Sequence, residues 1–187
     1  MTINWPVKET QELGWRNDYF HAAIKTFKPK SICEIGCHVG LTTQSLLFEA
    51  IKHTDTLYFA GYDLFELANE YTDKKEINGK GSGSFSRVKK RLDGIKANHF
   101  PNLTYDLYKG DTNFTLEKRK FDFVFIDGGH SYETVKHDYE KVKDSTVIFF
   151  DDYDIPDVKK FCDEIGAKNL INFKSKKKLA VLVNESK

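Results

Sequence analysis

The sequence lacks several features that would place it in a specialised class of protein. It holds three cysteines among 187 residues, an odd number on a chain whose N-terminal stretch lacks the charged-then-apolar pattern of a signal peptide. No apolar run approaches the roughly 18 residues that a membrane span needs. We therefore expect reduced thiols in a cytoplasmic protein that does not enter a membrane.

The chain also lacks an excess of charge of either sign. Lys and Arg total 29 and Asp and Glu total 28, which leaves a net charge of +1. This balance argues against nucleic acid or an acidic membrane surface as the main partner. Aromatic residues make up 14% of the chain, no internal repeat or long linker interrupts it, and the length suits one folded unit. We predict a single domain over residues 1–187.

Short apolar segments alternate with helical patterns along most of the chain. The predicted strands are Ser31–Ile35, Leu57–Tyr62, Leu103–Tyr108, Phe121–Ile126, Val147–Phe150, Leu170–Phe173 and Leu179–Val183. The predicted helices are 16–27, 41–52, 85–97 and 131–143, with Ser131 as the N-cap of the last, and one that begins at Pro156 and is capped by Gly166. This alternation predicts an α/β fold, with helices on both faces of a mostly parallel sheet and an antiparallel hairpin at its edge.

Acidic residues collect where the apolar strands end. They are Glu34, Asp63, Asp111, Asp127, Asp151 and Asp152. In open parallel sheets, ligands bind beyond the carboxyl ends of the strands, near the point where the strand order reverses. We therefore place the functional site at this edge of the sheet.

The segment ICEIGCHVGLTTQSLL joins the first strand to a helix and carries Gly36 and Gly40. Gly36 suits a tight turn, and Gly40 would let the backbone approach a ligand at the helix N-terminus. The spacing is G-x-x-x-G, which weakens a dinucleotide-binding interpretation and removes a P-loop one. GKGSGS at 79–84 also fails as a P-loop, because its lysine precedes the later glycines, and is more typical of a flexible surface loop.

These segments together resemble the class I S-adenosylmethionine-dependent methyltransferases. The family's acidic-x-Gly-x-x-x-Gly motif is matched by Glu34, Gly36 and Gly40, and its acidic residue after the second strand by Asp63. A Gly-Asp-small segment after the third strand is matched by Gly110-Asp111-Thr112. The resemblance implies a Rossmann-like, seven-stranded methyltransferase sheet and S-adenosylmethionine as cofactor.

The resemblance also implies roles for single residues. Asp63 would hold the ribose hydroxyls, since a carboxylate accepts two hydroxyl hydrogen bonds well, and Asp111 and Thr112 would lie beside the adenine. Glu34 would face the ammonium group of the methionine part. Cys37 and His38, in the same loop, are further candidate cofactor contacts.

The segment FDFVFIDGGHSYETVKHD delivers Asp127 from the fourth strand and His130 just before a helix. The fifth strand ends in Asp151 and Asp152. Neighbouring strands lie about 4.8 Å apart, so these carboxylates can converge, and their repulsion favours a bound cation. Oxygen ligands indicate a hard ion, Mg²⁺ first and then Mn²⁺ or Ca²⁺.

The D-G-x-H-x-Y pattern that begins at Asp127, with the later Asp-Asp pair, looks like the metal-dependent O-methyltransferases that modify macrolide sugars. The resemblance implies Asp127, Asp151 and Asp152 as metal ligands and His130 as the general base, with Asp127 also taking part in cofactor binding and catalysis. The acceptor would be a small hydroxylated molecule, with a sugar or a nucleotide sugar as one class.

Plainer interpretations of these residues stay open. Asp151 or Asp152 could cap the helix at Pro156, Asp127 could contact the cofactor alone, and His130 could be a structural donor. A metal-independent enzyme using His130 on nitrogen or oxygen is the second functional hypothesis. A non-catalytic nucleoside-binding or interaction module is the third.

Residues 66–100 are longer than a minimal connection and end in a helix with a basic cluster of Arg87, Lys89, Lys90 and Arg91. A solvated helix face is the simpler interpretation. The functional one is a substrate lid, mobile at 78–84, whose basic cluster favours an anionic acceptor. The sequence leaves the oligomeric state open, with a homodimer as one expectation.

Overall fold

The computed structural model describes residues 3, 15–76, 81–170 and 178–184. The strands are β1 (Ser31–Ile35), β2 (Leu57–Asp63), β3 (Leu103–Lys109), β4 (Phe123–Ile126), β5 (Val147–Phe150), β6 (Lys168–Leu170) and β7 (Leu179–Val183). The α-helices are α1 (Trp15–Phe27), α2 (Leu41–Ala50), α3 (Glu70–Glu76), α4 (Phe85–Asn98), α5 (Thr112–Thr115), α6 (Tyr132–Val142) and α7 (Pro156–Glu164), and a 3-10 helix covers Phe65–Leu67.

The strands form one seven-stranded sheet in the order β3-β2-β1-β4-β5-β7-β6. The pairs from β3 to β5 are parallel, and β7 is antiparallel to both β5 and β6. The predicted mostly parallel sheet with an antiparallel C-terminal hairpin is therefore confirmed. The strand order reverses between β1 and β4, which opens a crevice at the carboxyl ends of these two strands.

Alternating side chains of the strands build a core on each face of the sheet. On one face, Phe59, Phe123 and Phe149 pack under α1, α2 and α4. On the other, Val124 and Phe150 pack under α6 and α7. Because successive side chains of a strand point to opposite faces, strands that are apolar throughout are covered on both sides. The prediction of helices on both faces is confirmed.

Several boundaries differ from those predicted. β4 begins at Phe123 rather than at Phe121, and just before it the carboxylate of Asp122 accepts hydrogen bonds from the backbone N–H groups of Lys30, at 2.8 Å, and Ser31, at 3.0 Å. β6 begins at Lys168, and the predicted strand residues 171–173 lie outside the described part of the chain. Within that part, no helix combines the length and the apolar character that crossing a membrane requires.

Helix α3 has no counterpart among the predicted elements. Its sequence, EYTDKKE, has no apolar stripe, and hydrophobic periodicity is the main sequence signal for a helix. A local cap explains where it begins. The Asn69 side chain accepts a hydrogen bond from the Thr72 backbone N–H at 3.0 Å, and the Thr72 hydroxyl accepts one from the Asn69 N–H at 2.8 Å.

Candidate active site

A cavity of about 550 Å³ lies at the carboxyl ends of β1, β2, β3 and β4, at the reversal of strand order. Most of the residues singled out from the sequence line it, namely Gly36, Cys37, His38, Asp63, Asp111, Thr112, Asp127 and His130. The described residues that form its wall do not include Glu34, Gly40, Asp151 or Asp152. Asp151 and Asp152 lie in a small adjoining pocket with Asp127 and His130. The topology therefore brings the two sequence motifs together around one space.

Gly36 permits close contact between the ends of β1 and β4. Its φ is +93°, and a Cβ atom there would overlap the backbone carbonyl oxygen of Asp127. Its N–H donates to the carbonyl of Tyr62 at 2.8 Å. Only glycine suits this position, because both the conformation and the space exclude a side chain.

Gly40 has a packing role that the sequence did not indicate, and its expected approach to a ligand stays a prediction. It has φ +78°, and a Cβ atom would lie 3.1 Å from Arg91 Cδ and 3.2 Å from Val88 Cγ2 on α4. Arg91 also donates from Nε to the carbonyl of Val39 at 2.9 Å. Gly40 therefore lets α4 pack on the loop between β1 and α2.

Glu34 lies behind the cavity wall, and its expected contact with an ammonium group stays a prediction. Its side chain shares a face of β1 with Ile32 and is fully buried, and it accepts a short hydrogen bond from the hydroxyl of Thr43 on α2. Burial raises the pKa of Glu34 to about 8; the Thr43 hydrogen bond opposes this shift, and nearby Asp63 adds to it.

The carboxylate of Asp63 holds the loops at the cavity rim together by accepting hydrogen bonds from backbone amides. Its carboxylate accepts hydrogen bonds from the N–H of His38, at 2.7 Å, and from the N–H of Phe65. Its carbonyl accepts from Gly110 N–H at 3.0 Å, which links β2 to the loop after β3. A carboxylate has about four acceptor sites, so Asp63 retains capacity for ligand hydroxyls.

Asp138 on α6 is a cavity residue that the sequence reasoning missed. Its side chain is 1% exposed and lines the cavity with Thr112. Burial raises the pKa of Asp138 to about 7, and the nearby carboxylates of Asp111 and then Glu76 reinforce this shift. The available signal was its spacing, because an acidic residue three positions after the buried Val135 falls on the inward face of a helix.

Asp127, Asp151 and Asp152 converge beside His130 at the ends of β4 and β5. Each offers one carboxylate oxygen, and these atoms lie within 4.8 Å of one another. Asp151 and Asp152 are 3% and 5% exposed, whereas Asp127 borders the cavity. We call these three carboxylates the acidic cluster.

Arg16 on α1 is a further residue that the sequence reasoning missed. Its Nη1 donates to Asp127 Oδ2 at 3.4 Å and makes a short contact with Asp151 Oδ2. Burial disfavours the charged guanidinium, but the acidic cluster outweighs this effect and raises the pKa of Arg16. No local pattern marks the residue, since its partners lie 111 and 135 positions away.

His130 pairs with Asp152 rather than with a backbone carbonyl. Its Nε2 lies 2.9 Å from Asp152 Oδ2, and both side chains are almost completely buried. Nδ1 of His130 is buried and has no hydrogen-bond partner within the described ranges. Asp152 adopts φ +50°, a conformation that aspartate tolerates better than most residues.

The segment 66–100 covers part of the cavity. Thr72, Lys75 and Glu76 of α3 line it, and Glu76 accepts a hydrogen bond from Ser131 N–H at 3.0 Å. Ser84 N–H donates to the carbonyl of His38 at 2.9 Å. The loop expected to be mobile, 78–84, falls partly outside the described residues.

Comparisons with known proteins place the fold in a recognised group. The O-methyltransferase TomG of Streptomyces achromogenes, solved with S-adenosylmethionine, superposes with a TM-score of 0.62 at 13% identity, over 94% of this chain and 82% of that one. An O-methyltransferase of Bacillus cereus, solved with S-adenosylhomocysteine, gives 0.55 at 14% identity, over 97% and 85%. The S-adenosylhomocysteine-bound methyltransferase PaMTH1 of Podospora anserina gives 0.57 at 11% identity, over 94% and 80%.

At 11–14% identity these superpositions show a shared fold alone, and the family assignment rests on the sequence itself. No curated protein sequence shows a significant match. The sequence profile of the methyltransferase domain family matches residues 33–153, a stretch that runs from β1 through the acidic cluster. The methyltransferase class predicted from the motifs is thereby confirmed, and the chain belongs to the methyltransferase domain family.

Proposed function

We propose that this protein transfers a methyl group from S-adenosylmethionine to a hydroxyl oxygen of a small acceptor, with sugars and nucleotide sugars as the first classes to test. The observation that carries the proposal is one cavity lined both by Asp63 and the Gly36 turn and by His130, whose ring lies beside Asp152. The solved O-methyltransferases of the same fold support the choice of oxygen.

The cofactor end of the cavity is formed by the loops after β1, β2 and β3. Asp63 would accept the ribose hydroxyls, and Asp111 and Thr112 would border the base. Gly36, Cys37 and His38 would lie along the rest of the molecule. S-adenosylmethionine supplies a methyl group on a sulfonium, and the protein's task is to hold it in line with the acceptor oxygen.

The reaction end contains the proposed base, His130. With the ring proton on Nε2, the nitrogen 2.9 Å from Asp152 Oδ2, the lone pair of the ring is on Nδ1, the nitrogen that can take a proton. Because Nδ1 is buried, proton transfer requires an acceptor or a water molecule to reach the ring. Asp127, which borders the cavity near His130, would help to position the acceptor.

The acidic cluster has the donor set of a site for a hard divalent cation. Its three carboxylate oxygens lie within 4.8 Å of one another, and two of the side chains are nearly buried. Asp127, Asp151 and Asp152 would hold Mg²⁺, which when bound would lower the pKa of an acceptor hydroxyl.

A metal-independent enzyme of the same fold is the second candidate. The observation that favours it is Arg16, whose guanidinium already contacts Asp127 and Asp151. In that case His130 acts without a metal, on oxygen or nitrogen. We further propose that the whole chain is one domain and that 66–100 closes over the bound acceptor.

Transfer of labelled methyl from S-adenosylmethionine to a panel of sugars, nucleotide sugars and phenols tests the proposal. We expect label on a hydroxyl, with activity lost in a chelator while affinity for S-adenosylhomocysteine, measured by calorimetry, is retained. Full activity in chelator would establish the metal-independent candidate. Tight cofactor binding without methylation of any acceptor would instead favour a binding module.

A further inference from the structure

The guanidinium of Arg16 occupies a position that a metal ion would also need. Its Nη1 approaches Oδ2 of Asp127 and Oδ2 of Asp151, which belong to the three carboxylates close enough to share one cation. The third carboxylate, Asp152, is paired with His130. In the described structure, positively charged or polar side chains of this chain thus contact every member of the acidic cluster.

The backbone of Arg16 is fixed, whereas its side chain borders open space. One helical turn later, the fully buried Phe20 packs against Phe125 with ring centroids 4.7 Å apart, which anchors α1 on β4. The guanidinium lies 5.8 Å from the centroid of the same Phe125 ring. The Arg16 side chain is 28% exposed and lines the cavity, so it can rotate away without movement of the helix.

A guanidinium and a divalent cation satisfy carboxylates by different means. Arginine donates hydrogen bonds in a planar fork, while a hard cation bonds directly to the oxygens. The same oxygen atoms cannot do both at once, and two cations in contact repel strongly in a partly buried site. Occupation by a metal therefore requires Arg16 to leave Asp127 and Asp151.

We propose that Arg16 and a divalent cation bind Asp127 and Asp151 alternately, so that Arg16 sets the metal concentration at which the acidic cluster fills. This inference rests on the proposed function only in treating the cluster as a cation site. It concerns metal occupancy and is independent of which acceptor is methylated.

Titration with Mn²⁺ alone, followed by the electron paramagnetic resonance signal of the free ion, measures occupancy directly. The variants are R16Q, which removes the charge, and R16K, which keeps the charge without the fork. Arg119→Gln is the matched control, because Arg119 lies near Tyr58, at the opposite end of the strands. We expect R16Q to bind Mn²⁺ at least about tenfold more tightly than wild type, R16K to lie between them, and R119Q to match wild type.

Thermal unfolding gives a second readout. R16Q leaves the buried Asp151 without this counter-charge, so it should unfold at a lower temperature than wild type in chelator and gain more from added Mn²⁺. Equal or weaker Mn²⁺ binding by R16Q, equal binding by R16K and R16Q, or no Mn²⁺ binding by any variant would overturn the proposal. Calorimetry with S-adenosylhomocysteine on the same samples reports separately on the proposed function.

Discussion

The two ends of the cavity use their carboxylates differently. At the proposed cofactor end, Asp63 accepts hydrogen bonds from the backbone amides of His38 and Phe65. Beside the proposed reaction end, Asp151 contacts the side chain of Arg16, and Asp152 contacts that of His130. Backbone amides have one charge state and a fixed place in the fold, whereas long or titratable side chains can move or change their charge.

We propose that this difference separates cofactor binding from chemistry within one cavity. The end whose carboxylate is held by backbone amides can keep its shape whether or not a ligand is present. A site that binds the same cofactor in every reaction cycle requires this. The other end can exchange its internal contacts for contacts with an acceptor, a proton or a metal ion. Variants at the two ends should therefore produce separable defects.

The largest expected effect is on turnover. His130→Ala removes the proposed base and should lower kcat by about 10² to 10⁴-fold, while affinity for S-adenosylhomocysteine changes little. His53→Ala is a suitable control, since His53 contacts Glu49 at the end of α2. Steady-state kinetics with the acceptor found in the panel measures the effect. Unchanged turnover of H130A would mean that the base is another residue.

A smaller effect is expected at Asp138, on how the stability of the folded protein depends on pH. Its pKa rises from 3.8 to about 7 on folding, so its favourable contribution is complete below about pH 4 and is lost as the pH rises through 7. As the pH rises from 5 to 8, the free energy of unfolding of the wild type should fall by roughly 2–3 kcal/mol relative to that of D138N, because asparagine does not titrate.

Denaturant unfolding of wild type and D138N at the two pH values checks this. Glu34, whose pKa is raised to about 8, is present in both proteins, so its contribution cancels in the comparison. Parallel stability curves would show that Asp138 is already ionised in the folded protein at low pH.

Asp63→Ala should weaken S-adenosylhomocysteine binding by roughly 1–3 kcal/mol, because ligand hydroxyls would be left poorly paired. Its two amide hydrogen bonds would also be lost, so a fall in stability is expected as well. Calorimetry with S-adenosylhomocysteine and with NAD measures this loss and also tests cofactor selectivity. We expect the wild type to bind S-adenosylhomocysteine and not NAD. NAD binding of equal or greater affinity would contradict the cofactor assignment.

The smallest expected effect is at Gly40. Gly40→Ala places a side chain at φ +78° and should lower stability by about 1–2 kcal/mol, with cofactor affinity nearly unchanged. Thermal unfolding measures the change in stability, and calorimetry on the same sample measures the change in cofactor affinity. If the G40A variant lost cofactor affinity without losing stability, Gly40 would instead be a residue that contacts the ligand.

Much of this architecture is predictable because its signals are local. β1 and β5 have the predicted bounds, and Ser131 caps α6 as expected, with its hydroxyl accepting from Thr134 N–H. The strand-end acids around the cavity follow from topology, since parallel strands bring their carboxyl ends to one edge.

The errors and omissions have non-local causes. Arg16 meets carboxylates more than 100 positions away, and no sequence spacing encodes that contact. The complete burial of Glu34 was not predicted, because a parallel strand buried on both faces does not show which face a side chain takes. Its contact with Thr43 depends on how α2 packs over β1.

The most direct test of the division between the two ends is calorimetric titration of S-adenosylhomocysteine into wild type, D63A and H130A under identical conditions. We predict that wild type and H130A bind with nearly the same affinity and that D63A binds more weakly. Similar losses in D63A and H130A, or a loss in H130A alone, would contradict the separation of cofactor binding from the reaction end.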